Sequence, residues 1–247
     1  MLDKPQTLPT TLPRARLTAP PEAVLAVLPR IGRLMVTAKN LGATHERIGP
    51  VETVRFADGW AIIGGADHES RIELSAIAEM IVDRTSIMQG KAYPRIDLNR
   101  ADGSYACGIV GFDGIEPFDS AIAAFGPGNA VEPKPETAPT ERIEPEATDP
   151  GLVALQSARD AATPVIIGFR QPGFRQAFRG VVETVKPAMG FINVMRADFH
   201  LHLKSGAVAE WREIAGERRA INANGEEIGL YLAPEQASGD ERNSTTR

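Results

Sequence analysis

The chain has 247 residues, 43% of them apolar, which is enough for one large domain or two small ones with a true core. A formal net charge of −5 argues against nucleic-acid binding by bulk electrostatics, and a single cysteine, Cys107, excludes an internal disulfide or a cysteine-based zinc site. The amino terminus lacks the apolar stretch of a signal peptide and no apolar run reaches the ~20 residues that cross a bilayer, so the expected setting is cytoplasmic, with no membrane insertion.

Residues 1–20 carry four prolines and several threonines and read as a flexible arm. Ala23 to Leu28 reads as a short helix stopped at Pro29. Strands follow over 34–40 (LMVTAKN), 51–56 (VETVRF) and 60–65 (WAIIGG), with a turn expected over 41–50 (LGATHERIGP). RIELSAIAEMIV (71–82) fits a strand or a short helix, and RIDLNRADGSYACGIVGF (95–112) a hairpin turning at Ala101-Asp102-Gly103. Asp119 to Phe125 reads as a short helix. The span 127–150 is an acidic, proline-rich linker with six acids against Lys134 and Arg142, so the remaining parts are nearly neutral. A helix is expected over 151–162, then strands over 165–171, 174–186, 190–196 and 199–204, and a last hairpin turning at Asn224-Gly225. The tail 235–247 reads as disordered.

The chain repeats itself. Adding 131 to any position from 34 to 80 gives a gap-free partner, and thirteen of the 47 pairs are identical, against about three expected from average composition. The identities include Gly42/Gly173, Gly49/Gly180, Asp67/Asp198 and the shared string VETV. The two hairpin turns also correspond, Gly103 to Gly225, with a nine-residue shortening. The expected architecture is therefore α+β, a tandem repeat of two antiparallel β-sheet units with flanking short helices, over 21–126 and 151–234. Such copies pack about a pseudo-two-fold axis, either for burial alone or to frame a ligand cleft.

Two segments carry a family resemblance. LPRIGRLMVTAKNLGATHERIGPVETV, followed by SRIELS, resembles the amino-terminal repeat of the bacterial haemin-degrading and haem-trafficking proteins (the HemS/ChuS/PhuS type, related to ChuX and HutX). RGVVETVKPAMGFINVMRADFHLHLKSGAVAEW resembles their carboxy-terminal repeat. The resemblance implies a cytoplasmic haem-binding protein of bacterial haem utilisation, serving trafficking, storage or degradation, with a haem oxygenase or the haem import system as further partners. It implies that Arg71 reaches the distal side of haem. The family's axial histidine precedes its second repeat, but this chain has no histidine between His68 and His200. The alternative is a relative that has lost haem and binds something else.

Haem needs an apolar slot, bases for its propionates and an iron ligand such as His, Tyr, Cys or Met. His200 and His202, two apart in a strand, share a face. His202 pairs with Arg71 under the offset and is the candidate iron ligand, against a structural role within the sheet. His45 is a further candidate, against a turn-stabilising role. Arg170 and Arg175 alternate with phenylalanines around a Pro-Gly turn, a composition suited to a flat anionic ligand or to an ordinary hairpin. Cys107 reads as core rather than nucleophile. No catalytic constellation of protein side chains stands out, so any oxidation would be done by the iron of bound haem.

Overall fold

The computed structural model describes residues 11–135 and 142–235. The expected flexible arm over 1–10, the middle of the linker and the tail from 236 lie outside the described residues. In chain order, β1 (Arg14–Arg16) and α1 (Pro21–Ala26) precede β2 (Arg33–Asn40), β3 (Ala43–Pro50), β4 (Thr53–Ala57), β5 (Trp60–Gly65), β6 (His68–Glu73) and β7 (Glu79–Asp83). A small ribbon, β8 (Ile87–Met88) and β9 (Lys91–Ala92), leads to β10 (Arg95–Asn99), β11 (Tyr105–Gly111), α2 (Ile115–Ile122) and β12 (Asn129–Ala130). The second half opens with α3 (Pro150–Ala161). It continues through β13 (Val165–Gln171), β14 (Phe174–Gly180), β15 (Lys186–Ala188), β16 (Phe191–Met195), β17 (Phe199–Lys204), β18 (Glu210–Ile214), β19 (Glu217–Ile221) and β20 (Glu227–Pro234).

The two copies do not each make their own sheet. The first sheet runs β12-β1-β7-β10-β11-β2-β3-β17-β16-β15 and the second β18-β19-β20-β13-β14-β6-β5-β4. Apart from the edge pair β12-β1 and the separate ribbon β8-β9, replacing each strand by its counterpart in the other copy converts one order into the other. The three-stranded unit β4-β5-β6 of the first copy has crossed into the second sheet, and β15-β16-β17 has crossed into the first. The joints have equivalent registers. Ala43 faces Leu203 and Thr44 faces His202 across β3–β17, while Phe174 faces Ile72 and Arg175 faces Arg71 across β14–β6.

Alternation along these strands sends one side chain in two to a shared interior. Val36, Phe199, Leu201 and Leu203 of the first sheet and Ile167, Phe169, Phe174 and Phe178 of the second belong to one continuous buried cluster. Phe178 and Phe199 stack at 4.3 Å. Each such side chain contributes about 1.5–3 kcal/mol by leaving water, so the crossed units are held by the same core as the rest. Helix α3 closes one end. Asp149 caps it, accepting from the Gly151 and Leu152 amides and, with its second oxygen, from Gly206 N at 2.8 Å.

At the centre, pseudo-symmetry brings two equivalent residues into contact. His45 and Gln176 are 131 residues apart, both buried, and Gln176 Nε2 lies 2.9 Å from His45 Nδ1. His45 Nε2–H donates to Ile167 O at 3.0 Å, and Gln176 Nε2 donates to Val36 O at 3.1 Å, the same bond made from the other copy. The Ser70 hydroxyl donates to Gln176 Oε1 at 2.6 Å. Every polar atom of the two side chains is thereby used, which a dry interior requires. Burial holds His45 neutral, its pKa lowered to about 4.

Two expectations need correction. The stretch 41–50 is not a turn: only Leu41 and Gly42, at φ of 43° and 92°, make the tight connection, and 43–50 is the strand joining the copies. Its Thr, His, Glu and Arg conceal an alternation in which His45 replaces an inward apolar residue. The arm over 1–20 is not free throughout, since Arg14–Arg16 pairs with β7 and β12 and Arg14 bonds Asp83 at 3.0 Å.

A chain of residues 1–130 should not run as a stable monomer in light scattering. It should dimerise or aggregate, because β3 lacks β17 and β6 lacks β14; co-expression with residues 131–247 should restore a 1:1 complex. A second expectation concerns acid. Because the folded pKa of His45 lies below its unfolded value, its share of stability is complete above about pH 6.5 and is lost as pH falls toward 4, by about 3 kcal/mol in all. His45→Gln, which keeps a donor for Ile167 O, should flatten the pH dependence of urea midpoints between 6.5 and 4, leaving the smaller share of buried His68.

Candidate functional site

The same alternation that sends His45 and Ser70 inward turns their neighbours outward, so each sheet has an outer face built on its joint. The two faces are equivalent by pseudo-symmetry and carry different chemistry.

On the second sheet, Arg71 of β6 and Arg175 of β14 stand directly opposite each other, both exposed. Like charges in that position repel, and neither has a salt-bridge partner among the described residues. Around them lie aromatic rings. The Arg175 guanidinium stands 5.5 Å from the Trp60 ring and that of Arg170 4.3 Å from the Tyr231 ring. Arg170 is neutralised by Glu217, which also holds Arg219 at 3.1 Å, and Arg179 is neutralised by Glu69 at 2.7 Å. An open cavity of about 320 Å³ is lined by Glu69, Arg71, Arg175, Gln176, Ala177 and Tyr231. The Tyr231 ring lies flat over Gly168, where an added methyl would come within 1.9 Å of Cζ, so the absence of a side chain there makes room for it. Burial raises the phenol pKa while Arg170 beside it pulls the other way.

On the first sheet the equivalent positions hold His202 and Thr44, with His200 and Glu46 one step along the joint. His200 Nδ1 lies 3.3 Å and His202 Nε2 3.7 Å from Glu46 Oε2. Burial disfavours the Glu46 carboxylate, but the hydrogen bonds from His200 and His202 outweigh it and hold its pKa near 2. Beside the cluster is a largely apolar cavity of about 590 Å³, with Phe191, Met189, Met195 and Asn193 in its wall and Arg142 and Lys186 as its bases.

The structure thus gathers Arg71, Arg175 and Arg170 on one sheet and places His200 and His202 on the outside of the other, with the core between. The pairing of His202 with Arg71 under the offset holds as equivalence, not as proximity: a two-fold operation carries one to the opposite side. His202 turns Nδ1 to Asn193 Oδ1 at 2.7 Å and Nε2 toward Glu46. Neither nitrogen is therefore free to meet a haem iron beside Arg71. His45 is fully buried with both nitrogens bonded, so it is a core residue. Cys107 is fully buried and its thiol pKa is raised by burial. Tyr231, Trp60, Glu46 and Asn193 are functional candidates that the residue patterns did not mark; the strand register across the joints would have marked Glu46.

Residues 12–90 match the model of the haemin-degrading HemS.ChuX domain. No curated protein matches the sequence. Among solved structures, the fold is similar to that of ChuS, described as an E. coli haem oxygenase, at 17% identity and a TM-score of 0.71 over 94% of this chain and 86% of that one. A second ChuS structure, described as a haem-degrading enzyme of Escherichia coli O157:H7, gives 17% and 0.72 over 94% and 84%. Holo-PhuS, described as a haem-binding protein from Pseudomonas aeruginosa, gives 15% and 0.71 over 92% and 82%. Residues 12–90 thus match the haemin-degrading HemS.ChuX domain, and the tandem fold that runs through both halves is similar to that of ChuS and PhuS.

Proposed function

We propose that the protein binds haem on the outer face of the second sheet and serves intracellular haem trafficking in haem utilisation. One observation carries this reading: Arg71 and Arg175, facing each other without acid partners, stand on an open surface flanked by Trp60 and Tyr231. Haem is flat, apolar and carries two carboxylates. Paired guanidinium groups suit the carboxylates and the rings suit the macrocycle. Of the side-chain types that ligate haem iron, Tyr231 is the one lining this cavity among the described residues. The matching chains are described as haem-binding or haem-degrading, which supports the same ligand here.

An open groove of this size leaves much of a macrocycle uncovered, which suits handing it on better than enclosing it for oxidation. When bound, the iron would supply any redox chemistry. The protein's part is to neutralise the propionates, to seat the ring and, through Tyr231, to hold the metal.

Haemin titration followed at the Soret band tests the reading. One equivalent should bind, and the double variant Arg71→Ala/Arg175→Ala should weaken it by about 10- to 100-fold, the cost of two charge-assisted contacts. Tyr231→Phe should alter the band and His202→Ala should leave it unchanged. If His202→Ala abolishes binding while the arginine variants are neutral, haem belongs on the first sheet instead. Biliverdin-like absorbance appearing with ascorbate would replace trafficking by degradation.

A further inference from the structure

The cluster on the first sheet has the makings of a site of its own. Glu46, His200 and His202 each offer one ligand atom, and these atoms all lie within 4.8 Å of one another. Donors held at about 2.0–2.1 Å from a tetrahedral ion stand roughly 3.3–3.4 Å apart. The observed 3.3 Å and 3.7 Å from Glu46 Oε2 to the two imidazoles are within a few tenths of an ångström of that. All three side chains project from one face of two adjacent strands, so they converge without any backbone change.

The orientation of two of these ligands is fixed from behind. The Asn193 amide nitrogen points at the carbonyls of Lys186, Ala188 and Phe191, at 3.1, 3.3 and 3.2 Å. That leaves Asn193 Oδ1 as the acceptor facing His202 Nδ1 at 2.7 Å. Nδ1 therefore donates to Asn193, which leaves Nε2 turned toward Glu46. The Thr37 hydroxyl donates to Glu46 Oε1 at 3.4 Å and leaves Oε2 for the histidines. Partners of this kind, behind an imidazole and a carboxylate, recur at metal centres.

With the other nitrogen of His202 held by Asn193 Oδ1, it is Nε2 that faces Glu46 Oε2. A cation between them satisfies His202, His200 and the carboxylate together. We propose that Glu46, His200 and His202 bind a divalent first-row transition metal of the zinc and ferrous class, with water completing its coordination. Two imidazoles and one carboxylate suit that class better than Mg²⁺ or Ca²⁺, which take oxygen. On the second sheet the equivalent positions are Ala177, Glu69 and Arg71, so the same ligand set is not repeated there and the site is independent of the haem reading.

The test uses the full chain freed of metal by chelation. Titration with Co²⁺ should give the intense visible bands of a low-symmetry four-coordinate ion, saturating at one equivalent, and Zn²⁺ should displace them. His200→Ala, His202→Ala and Glu46→Gln should each lower Zn²⁺ affinity at least about 100-fold. Asn193→Ala should lower it about 10- to 100-fold, and Arg71→Ala should not change it. Far-UV circular dichroism checks that each variant is folded. Should the wild type show no saturable Co²⁺ spectrum, or should folded His200→Ala/His202→Ala bind Zn²⁺ as tightly as the wild type, the assignment is wrong. Arg71→Ala losing haem but keeping zinc separates this result from the fate of the haem reading.

Discussion

The exchange of three strands between the copies is the constraint from which the rest follows. It forces β3 to lie beside β17 and β14 beside β6, and it brings His45 against Gln176 at the point where the copies meet. A purely apolar contact there would hold the sheets together without fixing their register. Four directed hydrogen bonds in a dry interior fix it, because a slip by one residue would bury donors and acceptors without partners, at about 1–3 kcal/mol each. The chain keeps histidine in one copy and glutamine in the other. Two histidines would need opposite tautomers to bond each other and also both carbonyls, whereas an amide and an imidazole fit at once.

With the register fixed, the two outer faces start as equals and differ only in side chains. The position that is Arg71 in one copy is His202 in the other, and Arg175 corresponds to Thr44. One face concentrates positive charge among aromatic rings. The other concentrates imidazole and carboxylate beside an apolar hollow. Duplication within a single chain permits this, because two identical subunits would have to carry the same residues on both faces.

Much of the fold was legible in the sequence. The 131-residue offset, the VETV string and the two Gly-centred hairpin turns announce a duplicated antiparallel β architecture, and two large antiparallel sheets with equivalent strand orders are observed. The strand exchange was not legible, since a repeat gives equivalence of position but not which copy a strand joins. The pairing of His202 with Arg71 under the offset is of that kind: the two hold equivalent positions on different sheets and are not neighbours. The strand 43–50 was hidden by its polar residues, because an alternation rule expects apolar inward positions and His45 is an inward polar one. The arginines were visible because guanidinium beside aromatic groups is a compositional signal. Glu46 and Asn193 were not, because their roles depend on cross-strand neighbours far away in the chain.

The crossing of strands also bears on how the protein is made. As the chain leaves the ribosome, β3 and β6 are complete long before β14 and β17 exist. For more than a hundred residues of elongation, two sheet margins wait with unpaired amides and carbonyls. Folding of the first half is therefore provisional until the second arrives, and crowded nascent chains on one message are at risk of pairing with each other. The acidic, proline-rich composition between the halves is well suited to that interval, since negative charge and proline, which lacks an amide proton, disfavour strand addition just when bare margins are exposed.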